Sequence, residues 1–331
     1  MIAGLARVLA ALLLSSLASP ALAHHGTAAV GAIGSEGPGS ALDTTGALPL
    51  GQGTLFLLVK TEYADFTQRP GFTDRKQYAS FNTLAVGYGI TPWLSAFVFQ
   101  PYNLKAQDGV GTNRGIGDTN LLLSASLKWD EGLKLAPERE SLDELADWHF
   151  GAWAGCSLPV GPTGHRDDHG DFHAPDMQTG FAGPSPAVGL LVMKQLSADF
   201  TMLLEASYQA FFEQTYAFSP AITYQFGAET RANAALSFRA WAAGTSRVDL
   251  VPELTLLDLQ RDREDGVALQ ASGGTILYGQ LGARWTLGSL SLGASVKRAV
   301  LKSLNEAADQ QGSEGLEDVR AALVVGWATR L

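Results

Sequence analysis

Residues 117–129 alternate between apolar and polar side chains, which is the pattern of a β-strand with one apolar and one polar face. Leu123 and Trp129 fall on the apolar parity, and Lys128 falls on the polar one. Leu122 alone interrupts the alternation. About ten residues that end in an aromatic side chain suit a tilted strand crossing a bilayer. The stretch therefore predicts one wall strand of a membrane β-barrel.

The same period-two alternation recurs along the chain and predicts thirteen strands. They cover residues 54–63, 78–90, 93–102, 117–129, 148–158, 185–196, 200–212, 220–226, 233–242, 248–259, 275–287, 290–301 and 319–331. Bacterial single-chain barrels have an even number of strands, so we expect that one element between 216 and 259 is miscounted. We predict about twelve strands, with the last strand pairing to the first.

The first fifty residues differ from the rest and predict export. Residues 1–23 have the features of a secretory signal peptide, with Arg7 before a short apolar core and a small-x-small cleavage site ending at Ala23. Residues 24–53 are rich in Gly, Ala, Ser and Thr without any period, so we expect a flexible periplasmic leader, with an ordered plug as the alternative. Residues 54–331 then form the barrel.

Composition narrows the class of protein further. The net charge of −10 becomes more negative once Arg7 is removed with the signal, which argues against nucleic-acid binding. Cys156 is the only cysteine, so no internal disulfide can stabilise the exported chain. A closed barrel supplies that stability because every backbone donor and acceptor pairs with a neighbouring strand.

The predicted fold class is therefore all-β. We expect a transmembrane, antiparallel, up-and-down β-barrel in the bacterial outer membrane of a Gram-negative envelope. Barrels of this kind have short periplasmic turns and longer extracellular loops.

Strand-end motifs add a resemblance to a known family. Residues 87–95 combine a Gly-Tyr-Gly strand end with a tight turn, residues 100–102 form a Pro-Tyr strand end, and residues 115–118 form a Gly-x-Gly-Asp strand start. Glu253, and residues 272–274 before a strand, continue the likeness. In this order the chain resembles outer-membrane transporters labelled by meta-pathway phenol degradation, which are related to barrels that pass aromatic hydrocarbons. The resemblance implies an outer-membrane channel or transporter for small molecules, including aromatic or other hydrophobic compounds.

Charged and polar side chains collect on the inward parity of the predicted strands. Charges of both signs can line a polar permeation path, or they can pair across the interior and fill a small barrel. The sequence leaves these two interpretations open. The predicted lumen-lining residues are Lys60, Glu62, Asn82, Lys128, Glu205, Gln209, Arg239, Glu253, Arg284 and Lys297.

Histidines provide an alternative function. His24 and His25 would begin the mature chain, where a terminal amine and imidazoles chelate copper. His165, His169 and His173 lie in a loop rich in aspartate, a donor set that suits copper or zinc. A metal-handling barrel is therefore the first alternative to a channel. A structural or interaction barrel without conduction is the second.

Enzyme motifs are missing from the sequence. Some outer-membrane lipases have twelve strands and use a serine near a histidine, but His149 has no serine at a matching spacing. The chain also lacks a phosphate-cradling Gly motif, a metalloprotease motif and a nucleophile elbow. We therefore predict a protein that is not an enzyme and needs no cofactor other than the metal of the alternative. Its predicted partners are outer-membrane lipid and a small-molecule solute.

Overall fold

The computed structural model describes residues 41–66, 77–107, 111–136, 146–167, 169–218, 220–306 and 317–331. The predicted signal peptide and His24 and His25 lie outside these residues. In the described part of the chain, no helix is long and apolar enough to span a membrane. The longest helical element assigned there is the 3-10 turn Pro175–Met177.

The described residues form eighteen strands. Their bounds are β1 Thr54–Phe66, β2 Gln77–Thr91, β3 Leu94–Gln107, β4 Gly111–Ile116, β5 Thr119–Trp129, β6 Leu133–Leu135, β7 Trp148–Leu158, β8 Ser185–Gln195, β9 Phe200–Gln209, β10 Gln214–Tyr216, β11 Ile222–Gln225, β12 Glu229–Ala243, β13 Ser246–Leu259, β14 Arg263–Glu264, β15 Val267–Ala268, β16 Gly274–Leu287, β17 Leu290–Leu304 and β18 Glu317–Arg330.

Antiparallel pairing closes these strands into a barrel with twelve wall strands. Going around the wall, β1, β2 and β3 are followed by β4 and β5, then by β7, β8, β9, β12, β13, β16, β17 and β18. Both β4 and β5 pair with β3, so they form one wall strand that is interrupted at Gly117 and Asp118. Pairing of β1 with β18 completes the ring. The predicted twelve-strand, up-and-down barrel, closed by its last strand, is confirmed.

The extra element in the sequence-based count is the one predicted at 220–226. It becomes β11, which pairs with β10 and β14 in a separate four-stranded sheet built from loops. Its alternation reflects burial of Tyr224 and Phe226 against Phe211 and Tyr216 of the loops. A short strand buried in a loop core and a short wall strand share the same period of two, so periodicity did not separate them.

Side-chain exposure defines the two faces of the wall. In β5, Leu123 and Trp129 are exposed while Ser126 and Lys128 are buried, as the alternation predicts. Exposed aromatic side chains mark two levels of the wall, as in the girdles of outer-membrane barrels. Near the short turns these are Trp129, Trp148, Trp241, Trp285 and Trp327, and towards the other end they are Tyr63, Tyr102 and Tyr208.

Turn lengths orient the barrel. Two-residue turns join β2 to β3, β12 to β13 and β16 to β17, and Gly244 and Gly288 have φ of 58° within the last two of these turns. Positive φ is readily accessible to glycine, which explains glycine at both positions. Short turns face the periplasm in bacterial barrels. The start of β1 and the end of β18 lie at this same, periplasmic end.

Candidate functional site

Residues 41–50, here called the plug segment, lie inside the barrel. Leu42, Thr44 and Leu50 are buried, and the segment contacts wall residues on opposite sides of the lumen. Asp43 binds β1 and Thr45 binds β9, and these two strands are six positions apart in a ring of twelve. The plug segment therefore crosses the full width of the lumen.

The position of the plug segment corrects part of the sequence-based expectation. Residues 24–53 were expected to form a flexible periplasmic leader, with an ordered plug as the alternative, and the described plug segment lies inside the barrel and is largely buried, as the alternative requires. The physical reason is that its polar groups find charged partners on the wall. Residues 24–40 lie outside the described residues.

Asp43 anchors the plug segment through two ion pairs. Its Oδ1 lies 2.8 Å from Nζ of Lys60 on β1, and its Oδ2 lies 2.7 Å from Nζ of Lys297 on β17. The Lys60 ammonium also lies 3.4 Å from Glu62. Each carboxylate oxygen thus meets its own ammonium, an arrangement of charge-assisted hydrogen bonds.

Glu253 on β13 holds the backbone that flanks Asp43. Its carboxylate accepts hydrogen bonds from the N–H groups of Leu42 and Thr44, both at 2.8 Å, and from Oγ1 of Thr44 at 2.7 Å. Gln280 donates to the same carboxylate at 3.3 Å. Successive backbone N–H groups that converge on one anion form a nest, here with the anion supplied by the wall.

Glu205 on β9, which faces β1 across the lumen, holds the next residue of the plug segment. Its Oε2 accepts from the backbone N–H of Thr45 and from Nδ2 of Asn233, both at 3.0 Å, and its Oε1 accepts from the indole N–H of Trp153 at 3.2 Å. Arg284 on β16 donates to the carbonyl oxygen of Ala41. Every one of these contacts is non-covalent, and the chain itself joins the segment to β1 through residues 51–53.

Two glycines on the wall shape the socket for the Leu42 side chain. A Cβ placed on Gly293 of β17 would lie 2.6 Å from Cδ2 of Leu42, and one on Gly282 of β16 would lie 2.1 Å from its Cδ1. Larger residues at these positions would occupy the space that Leu42 fills. Leu42 therefore matches the shape of the wall, while the ion pairs and hydrogen bonds of its neighbours match the charges of the wall.

The Gly-Tyr-Gly motif of β2 has a similar origin. A Cβ on Gly89 would lie 2.1 Å from the carbonyl oxygen of Gly51. A Cβ on Gly87 would lie 2.6 Å from the Phe97 ring of β3 and 3.0 Å from Cδ1 of Leu50. Gly89 therefore leaves room for the chain that runs from the plug segment into β1, and Gly87 leaves room for the Phe97 ring and for Leu50.

Replacing Gly293 with leucine should displace the plug segment. The added side chain overlaps Leu42, and overpacking of this kind costs about 1–3 kcal/mol. Because the cost falls on the docked state, we expect the fraction of molecules with an undocked segment to rise by roughly tenfold, measured as cleavage of the N-terminal segment by added protease. The matched control is Ala294→Leu on the outward face of the same strand, which should leave cleavage unchanged. Equal cleavage of the two variants would contradict the role of Leu42.

Five of the ten predicted lumen residues contact the plug segment: Lys60, Glu205, Glu253, Arg284 and Lys297. Glu62, Lys128 and Gln209 are also buried. The Lys128 ammonium lies 3.9 Å from Asp147, and Gln209 donates to Oγ of Ser185 at 2.9 Å. Arg239 is half-buried at the short-turn end of β12.

Asn82 was assigned to the wrong face. The inward positions of β2 are occupied by Phe81, Thr83 and Ala85, while Asn82 shares the outward face with Leu84 and accepts a hydrogen bond from Oγ1 of Thr61. Polarity does not mark the inner face of β2, because Phe81 is buried there with Ala64 and Ala79, and Ala85 is buried in the cluster that contains Leu50 of the plug segment.

A long loop is fixed to the wall at the other end of the barrel. Lys105 donates to the carbonyl oxygen of Asp176 at 2.9 Å, and Asn113 donates to that of Met177 at 2.7 Å. Asp118, which lies between β4 and β5, accepts from the N–H of Gly161 and of Phe181 at 2.8 and 2.7 Å.

Aromatic side chains from the loops form a second core beyond the wall. Phe211, Tyr216, Tyr224 and Phe226 are buried together, with Phe181 packed against them. The Tyr224 hydroxyl donates to Asp262 at 2.7 Å. Burial, followed by the Asp262 charge, holds the pKa of Tyr224 well above its usual range, so this hydroxyl stays protonated. The loops therefore pack together into one folded layer with its own aromatic core, and they do not extend separately from the wall.

The loop histidines do not converge on a metal site. Among the described residues, no group of three or more His, Cys, Asp or Glu side chains is placed to hold a metal ion. The N–H of His165 donates to Gln178, His169 is exposed, and His173 is buried. The loop part of the metal hypothesis therefore has no support in the described part of the chain, where the three histidines lie in different environments.

Comparison with known proteins supports the fold. No model of a known protein family matches the sequence, and no curated protein matches it. Among solved structures, the chain is similar to the COG4313 outer membrane channel from Pseudomonas putida F1, with a TM-score of 0.67 and 14% identity over 86% of this chain and 98% of that one. The NanC porin matches with a TM-score of 0.48 and 9% identity, over 82% and 98% of the two chains. The protein therefore has the closed, twelve-strand barrel fold of bacterial outer-membrane channels.

Proposed function

We propose that the protein is an outer-membrane channel for small molecules that the plug segment closes and that opens when this segment leaves its socket. The observation that carries the proposal is the way the segment is held. Asp43 and its neighbours span the lumen through ion pairs and hydrogen bonds to β1, β9, β13 and β17. Contacts of this kind can be broken and remade without any change to the barrel wall.

The wall residues that hold the plug segment would line the path once it opens. Lys60, Arg284 and Lys297 supply positive charge, and Glu205 and Glu253 supply negative charge. Charges of both signs around a narrow lumen favour small polar or charged solutes over apolar ones. The strand-end motifs are the only feature that suggests aromatic solutes, and at Gly89 the close approach of the N-terminal chain explains the glycine without any solute.

Neither alternative function has an observation in its favour. The described histidines do not assemble a metal site. A structural barrel without conduction would need no reversible closure, whereas the plug segment is attached to the wall by contacts that can be exchanged for water.

Uptake by proteoliposomes tests the channel directly. Vesicles that contain residues 24–331 should take up small sugars and amino acids faster than protein-free vesicles, with rates that fall steeply as solute size increases. A charged aromatic acid and an aliphatic acid of equal charge, compared in the same assay, test the aromatic preference. Uptake no faster than in protein-free vesicles, both for the intact chain and for the chain lacking the plug segment, would refute the channel.

A further inference from the structure

The Asp43 carboxylate occupies a built anion site in the lumen. The side chains of Lys60 and Lys297 are 1% and 6% exposed, and each ammonium faces one carboxylate oxygen, at 2.8 and 2.7 Å. Two buried lysines on strands separated only by β18 are thus directed at a single bidentate anion. An isolated buried charge is costly, so this pair of ammonium groups requires an anion between them.

The surroundings indicate the charge and shape of an anion that would fit. Glu62 lies 3.4 Å from Lys60 and offsets part of the positive charge, which leaves a site matched to a single negative charge. The Lys297 ammonium lies 5.4 Å from the centre of the Tyr278 ring, which is buried with Leu257 and Ile276. An apolar wall therefore stands beside the ammonium groups and can contact the body of an organic acid.

Asp43 is itself such an acid, supplied by the chain. We propose that Lys60 and Lys297 form a binding site for small organic monocarboxylates, and that these solutes open the channel by taking the place of Asp43. The inference rests on the proposed function, because it names the solute class and the trigger of the same channel. A tethered carboxylate competes at an effective concentration in the millimolar range, so a free solute must reach millimolar concentrations to displace it.

The competition can be measured with acetate in single-channel recordings of the intact mature chain. Addition of potassium acetate at constant ionic strength should raise open probability by roughly tenfold, the equivalent of one lost charge-assisted hydrogen bond. The rise should saturate with concentration. Acetamide has the same size without the charge and should have no effect. Asp43→Asn should open the channel without acetate and remove the response.

Two lysine variants distinguish acetate binding at the site from a general attraction between acetate and positive charge on the barrel. Lys297→Gln should abolish the acetate response, while Lys302→Gln, which removes an exposed lysine from the same strand, should keep it. In the chain without residues 24–50, Lys297→Gln should lower the permeability of acetate relative to potassium, a readout that needs no plug segment. These two results together would support the site.

Different experimental results would overturn the carboxylate site and the channel. An equal response to acetamide, or a response that survives Lys297→Gln, would overturn the carboxylate site while leaving the channel intact. Conductance without any acetate response would do the same. Silence of the chain without residues 24–50 would overturn the channel and the carboxylate site together.

Discussion

Removal of residues 24–50 is expected to convert a mostly closed barrel into a permanently open one, with conductance steps several times larger than those of the intact chain. The plug segment reaches from β1 to β9 across the ring, and its Leu42 side chain fills the space next to Gly282 and Gly293. Its removal leaves the wall pairing untouched, because β1 begins at Thr54. The measurement is planar-bilayer conductance of the refolded proteins.

A shorter deletion provides the matched control. Loss of residues 24–40 removes most of the same N-terminal range but keeps the contacts that Lys60, Glu205 and Glu253 make with the plug segment. This variant should gate like the intact chain. Large, stable conductance steps from the shorter deletion would show that closure depends on residues 24–40 and not on the plug segment.

Asp43→Asn is expected to have the second largest effect. The substitution keeps the size of the side chain but removes both ion pairs, and hydrogen bonds to charged groups contribute about 1.5–3 kcal/mol each. It also leaves Lys60 and Lys297 close together without their shared anion. A net loss of about 3 kcal/mol raises the ratio of open to closed channels by roughly a hundredfold, measured as open probability.

A double-mutant cycle identifies the source of that effect. If Asp43 acts through Lys297, Asp43→Asn should change gating much less in a Lys297→Gln background than in the native one. Additive effects of the two substitutions would mean that Asp43 holds the segment by other means. Barrel folding can be checked in each variant by its resistance to denaturation by detergent on heating.

Alternation along single strands was sufficient to predict the wall. In β1, β5 and β9 the same parity separates exposed apolar residues from buried polar ones, and the inward positions of Lys60, Lys128 and Glu205 follow from it. This works because a membrane-facing strand meets lipid on one face and the lumen on the other, so burial depends on the strand alone.

The plug segment could not be predicted in the same way. Its residues have no period, and the partner of Leu42 on β13 is 211 residues away in the sequence. Asp43, the one charged residue between 41 and 53, was the available signal, but its two lysines lie on strands from opposite ends of the chain. The prediction for Asn82 failed because the inner face of its strand carries the apolar residues Phe81 and Ala85.

The two anchors of Asp43 also have a consequence for how the barrel assembles. Lys60 belongs to β1 and Lys297 to β17, so the carboxylate bridges strands on either side of β18, the strand that forms the closing seam with β1. Pairing between the two ends of a chain is slow, because the entropy of closing a long loop is lost before any contact forms that could offset the loss. A segment that binds both sides of the seam from within acts as an internal template, holding the first and last hairpins together while the ring closes. The residue that shuts the finished channel would then also speed its formation.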